Sequence, residues 1–131
     1  AAMEASLKLK EVSYVHSEAY AAGELKHGTI SLIEQGTLVV ALATQPELYE
    51  KTISNIREVA SRGAEVVLVT GEDFDGDTSC CSYVLRLPKV PEELSASLSI
   101  VPLQLLAYYI AVERSCDVDK PRNLAKSVTV E

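Results

Sequence analysis

Glu4, Lys8 and Glu11 recur at i, i+4 and i+7, so a helix through them presents a carboxylate, an ammonium and a second carboxylate on one face. A carboxylate held beside an amine can move protons, the carboxylate acting as base. The same spacing also describes a solvated ion-pair face, where each pair contributes only about 0.3–0.5 kcal/mol. His27, in Glu24-Leu25-Lys26-His27-Gly28, is one of two histidines. The near-neutral titration of histidine suits proton transfer, although a structural histidine satisfied within a connection is the more frequent explanation. Lys126 lies between Ala125 and Ser127 near the chain end, where composition alone reads as a mobile terminus. Against that, Lys120-Pro121-Arg122-Asn123 stiffens the approach and brings cations close enough to depress an amine's pKa, as a nucleophilic lysine requires.

Other chemistries find no support. There is no Ser/His/Asp arrangement, glycine-rich phosphate loop or metal-ligand cluster, and residues 71–77 lack the twelve-residue calcium-loop pattern. Cys80 and Cys81 are adjacent and Cys116 stands alone, which matches neither a disulfide framework nor a zinc site. All three read as reduced and structural.

The elements that must position these residues follow from periodicity. Leu7, Val12 and Val15 interleave with charged positions and predict an amphipathic helix from residue 1 to about 17. No capping residue precedes it, so the chain is expected to open inside a helix, truncated at its front. Residues 18–28, rich in small side chains, predict a tight connection with a short helical turn. The apolar run 37–43 predicts a buried parallel strand, Pro46 starts a helix that Gly63 stops, and 64–70 predict a second strand. Residues 83–87 predict a third strand, ending at Pro88. A long apolar helix runs from Pro91 to about Glu113, kinked at Pro102, and a polar tail follows. This order predicts an α/β fold, a parallel sheet sandwiched between helices, with strands missing upstream because three are few for an independent domain.

Composition narrows the partners. With 131 residues and 47% hydrophobic content the chain holds one domain or part of one. A net charge of −7 and no basic stripe argue against nucleic acid. The stretch 98–112 reads as a buried helix, shorter than the roughly 20 residues a membrane span needs. The first residues lack a signal-peptide pattern, which makes the cytoplasm the expected compartment.

Three segments change the weight of these readings: 7–14 (Leu-Lys-Leu-Lys-Glu-Val-Ser-Tyr), 18–28 (Glu-Ala-Tyr-Ala-Ala-Gly-Glu-Leu-Lys-His-Gly) and 117–131, which ends in Val-Thr-Val-Glu. Together with 102–108 they resemble the glucosamine-6-phosphate synthase (glutamine:fructose-6-phosphate amidotransferase) family. The first segment alone would suit any sugar isomerase (SIS) domain, whereas the tail points to this family. The resemblance implies an SIS-type three-layer α/β/α fold, with 1–115 as most of the second SIS subdomain and 116–131 as a catalytic tail. It implies synthesis of glucosamine-6-phosphate from fructose-6-phosphate and glutamine-derived ammonia, without metal or organic cofactor. Lys126 then matches the Schiff-base lysine, Glu11 the carboxylate moving a proton between C1 and C2, and His27 the ring-opening histidine. Lys8 matches a lysine lining the same site. The family's histidine comes from the neighbouring subunit, so a homodimer is implied. The family's upstream SIS subdomain and glutaminase domain have no counterpart here, and the chain alone is expected to be inactive. The competing readings are a non-catalytic sugar-phosphate-binding SIS module and another SIS enzyme, such as an amino-sugar deglycase.

Overall fold

The computed structural model describes residues 1–124. Their elements are α1 (Ala2–Lys8), a π-helical turn (Leu9–Ser13), 3-10 turns at Ala22–His27 and Thr29–Leu32, β1 (Leu38–Ala43), and a 3-10 turn (Pro46–Leu48) leading into α2 (Tyr49–Ala60). β2 (Glu65–Gly71), β3 (Tyr83–Leu87) and α3 (Glu92–Glu113) complete them. The result is a parallel three-stranded sheet with flanking helices, strand order β1-β2-β3. The chain divides into two compact units, one built from 20–99 and the other from 1–19 together with 100–131.

The larger unit holds the sheet. β2 is central, pairing Val66 with Val39 on one side and Val69 with Leu85 on the other, and Val66, Leu68, Val69 and Thr70 are all buried. That two-sided burial is why its sequence is a continuous apolar run instead of an alternating one. α2 supplies the crossover that a parallel β1–β2 pair needs, burying Ile53, Ile56 and Val59 against Ala43, Val66 and Leu68. These positions recur at helical period, and removing any one large side chain from such a core typically costs about 2–5 kcal/mol. Gly63, at φ +95°, ends the turn after α2, and its carbonyl accepts the Gly36 N–H at 2.8 Å. Thr70 Oγ1 donates to the Ala43 carbonyl at 2.8 Å, satisfying a hydroxyl that the core fully encloses.

β3 follows β2 in parallel without an intervening helix. The loop between them is held by Phe74, buried edge-on against Tyr49 with ring centroids 4.8 Å apart, and by Arg86, which donates to the Phe74 carbonyl at 2.8 Å. Asp77 accepts from Arg57 at 2.8 Å and from the Ser79 N–H at 2.9 Å.

Several boundaries differ from those predicted. The first helix stops at Ser13, short of residue 17, because Tyr14 takes a left-handed conformation (φ 57°, ψ 25°). The helix predicted from Pro46 begins as a 3-10 turn and becomes α-helical at Tyr49. The last helix continues through Pro102 and is 22 residues long, so by length and composition it is apolar enough to cross a membrane. It was expected to be buried, yet only a stripe is: Ser99, Leu103, Ala107 and Ala111, at successive i+4 steps, with Leu94, Val101, Leu105 and Tyr109 exposed. A stripe of that kind, small residues included, is what packing against other protein elements requires.

Candidate functional site

Lys8, Glu11 and Tyr14 belong to the unit formed by 1–19 and 100–131. α1 delivers Glu4 and Lys8 one turn apart, and Lys8 Nζ stands 3.6 Å from Glu4 Oε1. From Leu9 the helix widens to π geometry, a form that recurs at functional positions because the extra residue re-aims the side chains following it. On this turn Glu11 Oε2 lies 2.6 Å from Lys8 Nζ, a charge-assisted hydrogen bond between half-buried groups. The two carboxylates, Glu11 foremost, hold the Lys8 ammonium above its usual pKa despite the opposing effect of partial burial.

The turn is stabilised at the Leu9 carbonyl. It accepts the Tyr14 N–H, the Ser13 hydroxyl at 2.6 Å and, more distantly, the Val15 N–H at 3.4 Å. Ser13 is fully buried, so its hydroxyl needs that partner. Beyond the turn the chain is clasped back onto α1: Ser6 Oγ donates to the Ser17 carbonyl at 2.9 Å, and Ser17 Oγ to the Ser6 carbonyl at 3.1 Å. Glu11 therefore sits on a segment fixed at both ends.

The approach to the tail is also ordered. Asp117 Oδ1 accepts the N–H groups of Asp119 and Lys120, each at 3.0 Å, and Pro121 follows. The Arg122 N–H then donates to Tyr14 Oη at 2.8 Å, while the Arg122 guanidinium lies 4.1 Å from the centre of the Tyr14 ring. An open cleft of about 330 Å³ in this unit is lined by Lys8, Val12, Gln104, Tyr108 and Asp119 among others. Its walls mix apolar side chains with Lys8, Gln104 and Asp119.

Of the four residues singled out from sequence, Lys8 and Glu11 are in direct contact. His27 belongs to the other unit, where it closes the 3-10 turn Ala22–His27 ahead of Gly28 (φ 139°) and is exposed. Lys126 lies outside the described residues. Sequence reasoning missed Ser6, Ser13 and Tyr14. The first two carried no signal beyond being small and polar, and the partner of Tyr14 is 108 positions away.

The SIS domain family model matches residues 1–114. Over 130 residues the chain is 60% identical to a glutamine–fructose-6-phosphate aminotransferase (isomerizing) of Clostridium acetobutylicum, and 61% identical to that of Caldanaerobacter subterraneus. Each alignment covers 99% of this chain and 21% of the relative, so the chain spans about a fifth of their length. Among solved structures, the C-terminal domain of glucosamine-fructose-6-phosphate aminotransferase from Francisella tularensis superimposes with a TM-score of 0.84 at 38% identity. It covers 89% of this chain and 33% of that one. A glucosamine-6-phosphate deaminase from Thermotoga maritima gives 0.74 at 34%, covering 95% and 35%. With a parallel sheet flanked by helices and a family match over nearly its whole length, the chain belongs to the SIS domain family.

Proposed function

We propose that this chain is the C-terminal isomerase part of a glutamine–fructose-6-phosphate aminotransferase, with residues 1–115 as most of its second SIS subdomain and 116–131 as its catalytic tail. The observation that carries this is about 60% identity sustained across 99% of the chain with relatives of that name. In this reading fructose-6-phosphate is opened with the help of His27, donated by the partner subunit of a homodimer. Lys126 adds its amine to the sugar's carbonyl carbon, water leaves, and a Schiff base forms. Ammonia from the glutaminase part of the longer enzyme then adds to the same carbon and expels the Lys126 amine, leaving the sugar's own imine, and Glu11 moves the proton between C1 and C2. The reaction in this reading belongs to the cytoplasm, away from membrane and nucleic acid.

The electrostatics of Lys8 bear on its part. Lys8, hydrogen-bonded to Glu11 and flanked by Glu4, is held protonated, and a protonated amine has no lone pair to attack a carbonyl. Its role is that of a fixed cation that holds Glu11 in place and attracts an anionic sugar phosphate. The nucleophile must be another amine, which is the part given to Lys126.

Borohydride reduction of the full-length enzyme with fructose-6-phosphate, followed by peptide mapping, tests the assignment. A sugar adduct on Lys126 is expected, and an unmodified Lys126 would sink the mechanism. The likeness to the Thermotoga maritima deaminase favours a second reading, release of ammonia from an amino sugar phosphate. Ammonia production from glucosamine-6-phosphate without glutamine-dependent synthesis would select it.

A further inference from the structure

We infer that Tyr14 is a positioning residue for the lysine chemistry just proposed, fixing the chain at Arg122 so that the tail starts from one place relative to Glu11. The inference rests on that reading of Lys126 and adds a residue with no chemical role of its own.

Tyr14 lies three positions after Glu11 and terminates the π turn in a left-handed conformation, φ 57°. A bulky side chain there carries a cost that glycine would avoid. What the tyrosine gains is a two-point hold on Arg122: its hydroxyl oxygen accepts the backbone N–H at 2.8 Å, and its ring lies under the guanidinium at 4.1 Å. The two contacts constrain different parts of Arg122. The first fixes where the main chain passes, and the second fixes how the residue is turned.

The backbone on either side strengthens the point. Before Arg122, the Asp117 side chain ties down the N–H groups of Asp119 and Lys120, and Pro121 restricts φ. After it, four residue steps lead to Lys126. Chain advances at most about 3.5 Å per residue, so a hold at Arg122 acts on an amine four residues on through a short tether. Confinement of a nucleophile raises its effective concentration, and misplacement by about 1 Å can cost on the order of 100-fold in rate. The same turn that aims Glu11 therefore also holds the start of the tail, coupling base and nucleophile through the peptide units between Glu11 and Tyr14.

The test uses the full-length enzyme and three variants, Tyr14→Phe, Tyr14→Ala and Arg122→Lys. Tyr14→Phe keeps the ring and deletes the acceptor, Arg122→Lys keeps the N–H and deletes the planar cation, and Tyr14→Ala deletes both holds. The readout is the rate of borohydride trapping at Lys126 under saturating fructose-6-phosphate, alongside kcat, KM and the folded fraction. Tyr14→Phe should trap roughly three- to tenfold more slowly, as loss of a single hydrogen bond implies, with KM within about twofold of wild type. Arg122→Lys should fall in the same range and Tyr14→Ala below both. Trapping at the wild-type rate in Tyr14→Phe and Tyr14→Ala overturns the inference while leaving Lys126 as the nucleophile. Rate losses fully accounted for by a reduced folded fraction also overturn it. No adduct in the wild-type enzyme refutes the lysine assignment itself, and the positioning role with it.

Discussion

Lys8 Nζ stands 2.6 Å from Glu11 Oε2, closer than the 3.6 Å that separates it from Glu4 Oε1 one turn earlier. The shorter contact spans the point where the helix changes from α to π geometry, immediately after Lys8. Glu11 Oε2 is thereby held at a fixed place, as a general base must be.

If Glu11 transfers the proton, Glu11→Gln should lower isomerisation by about 10²–10⁴-fold, the usual contribution of a positioned acid or base. Sugar binding should be affected far less. Solvent deuterium exchange at C1 of the sugar in the full-length enzyme measures the step directly, and exchange at the wild-type rate would remove Glu11 from the mechanism.

The ion pair also gives Lys8 a defined alkaline signature. Its folded pKa is raised above the ordinary value of 10.5, mainly by the hydrogen bond to Glu11, so its stabilising contribution is complete below that value. The contribution is lost as pH rises through the raised pKa. Lys8→Met should therefore lower the melting temperature near neutrality, with the gap to wild type narrowing only above about pH 10. A gap that narrows between pH 6 and 8 would contradict the assignment.

Gly63→Ala should destabilise the fold by about 1–3 kcal/mol. Gly63 sits at φ +95°, and an added Cβ would lie 2.5 Å from Gln35 Oε1 and 2.9 Å from Gln35 Cα. The side-chain oxygen can swing aside, but the Cα cannot without moving the turn that enters β1. Urea unfolding of the variant measures the loss.

Asp77 should leave an acid signature. Hydrogen bonds from Ser79, first its backbone N–H, and from Arg57 lower its pKa from 3.8 to about 2. A depressed carboxylate stabilises above its unfolded pKa, and this is lost as pH falls through the folded value. Asp77→Asn should thus melt below wild type at pH 5 and above, and the two should converge between pH 4 and 2. A constant difference down to pH 2 would show that the carboxylate's charge is not what holds the loop.

The sheet was legible because burial on both faces of β2 demands an uninterrupted apolar run, and Val66 to Val69 supply it. α2 was legible in the spacing of Ile53, Ile56 and Val59, and its stop in Gly63. The end of the first helix was not. Val15 continues the apolar period past Ser13, and nothing local announces that Tyr14 turns left-handed, because its reward comes from Arg122 at the other end of the chain. Lys8 and Glu11 were visible as a helical face, but α-helical spacing could not foresee the π turn on which Glu11 sits. The last helix was read as buried from hydrophobicity alone, which does not distinguish a stripe facing a core from apolar side chains left facing outward.

Those outward side chains bear on how the chain will behave in the test tube. Leu94, Val101, Leu105 and Tyr109 stand exposed on α3, and Tyr83, Val84 and Leu85 are exposed on the edge strand β3. Exposed apolar side chains of that kind bind fluorescent hydrophobic dyes and draw copies together as concentration rises, and β3, an edge strand among the described residues, gives them a template. Preparations of these residues alone should elute from a sizing column at positions that shift with loading, and the net charge of −7 will slow that association least at high salt.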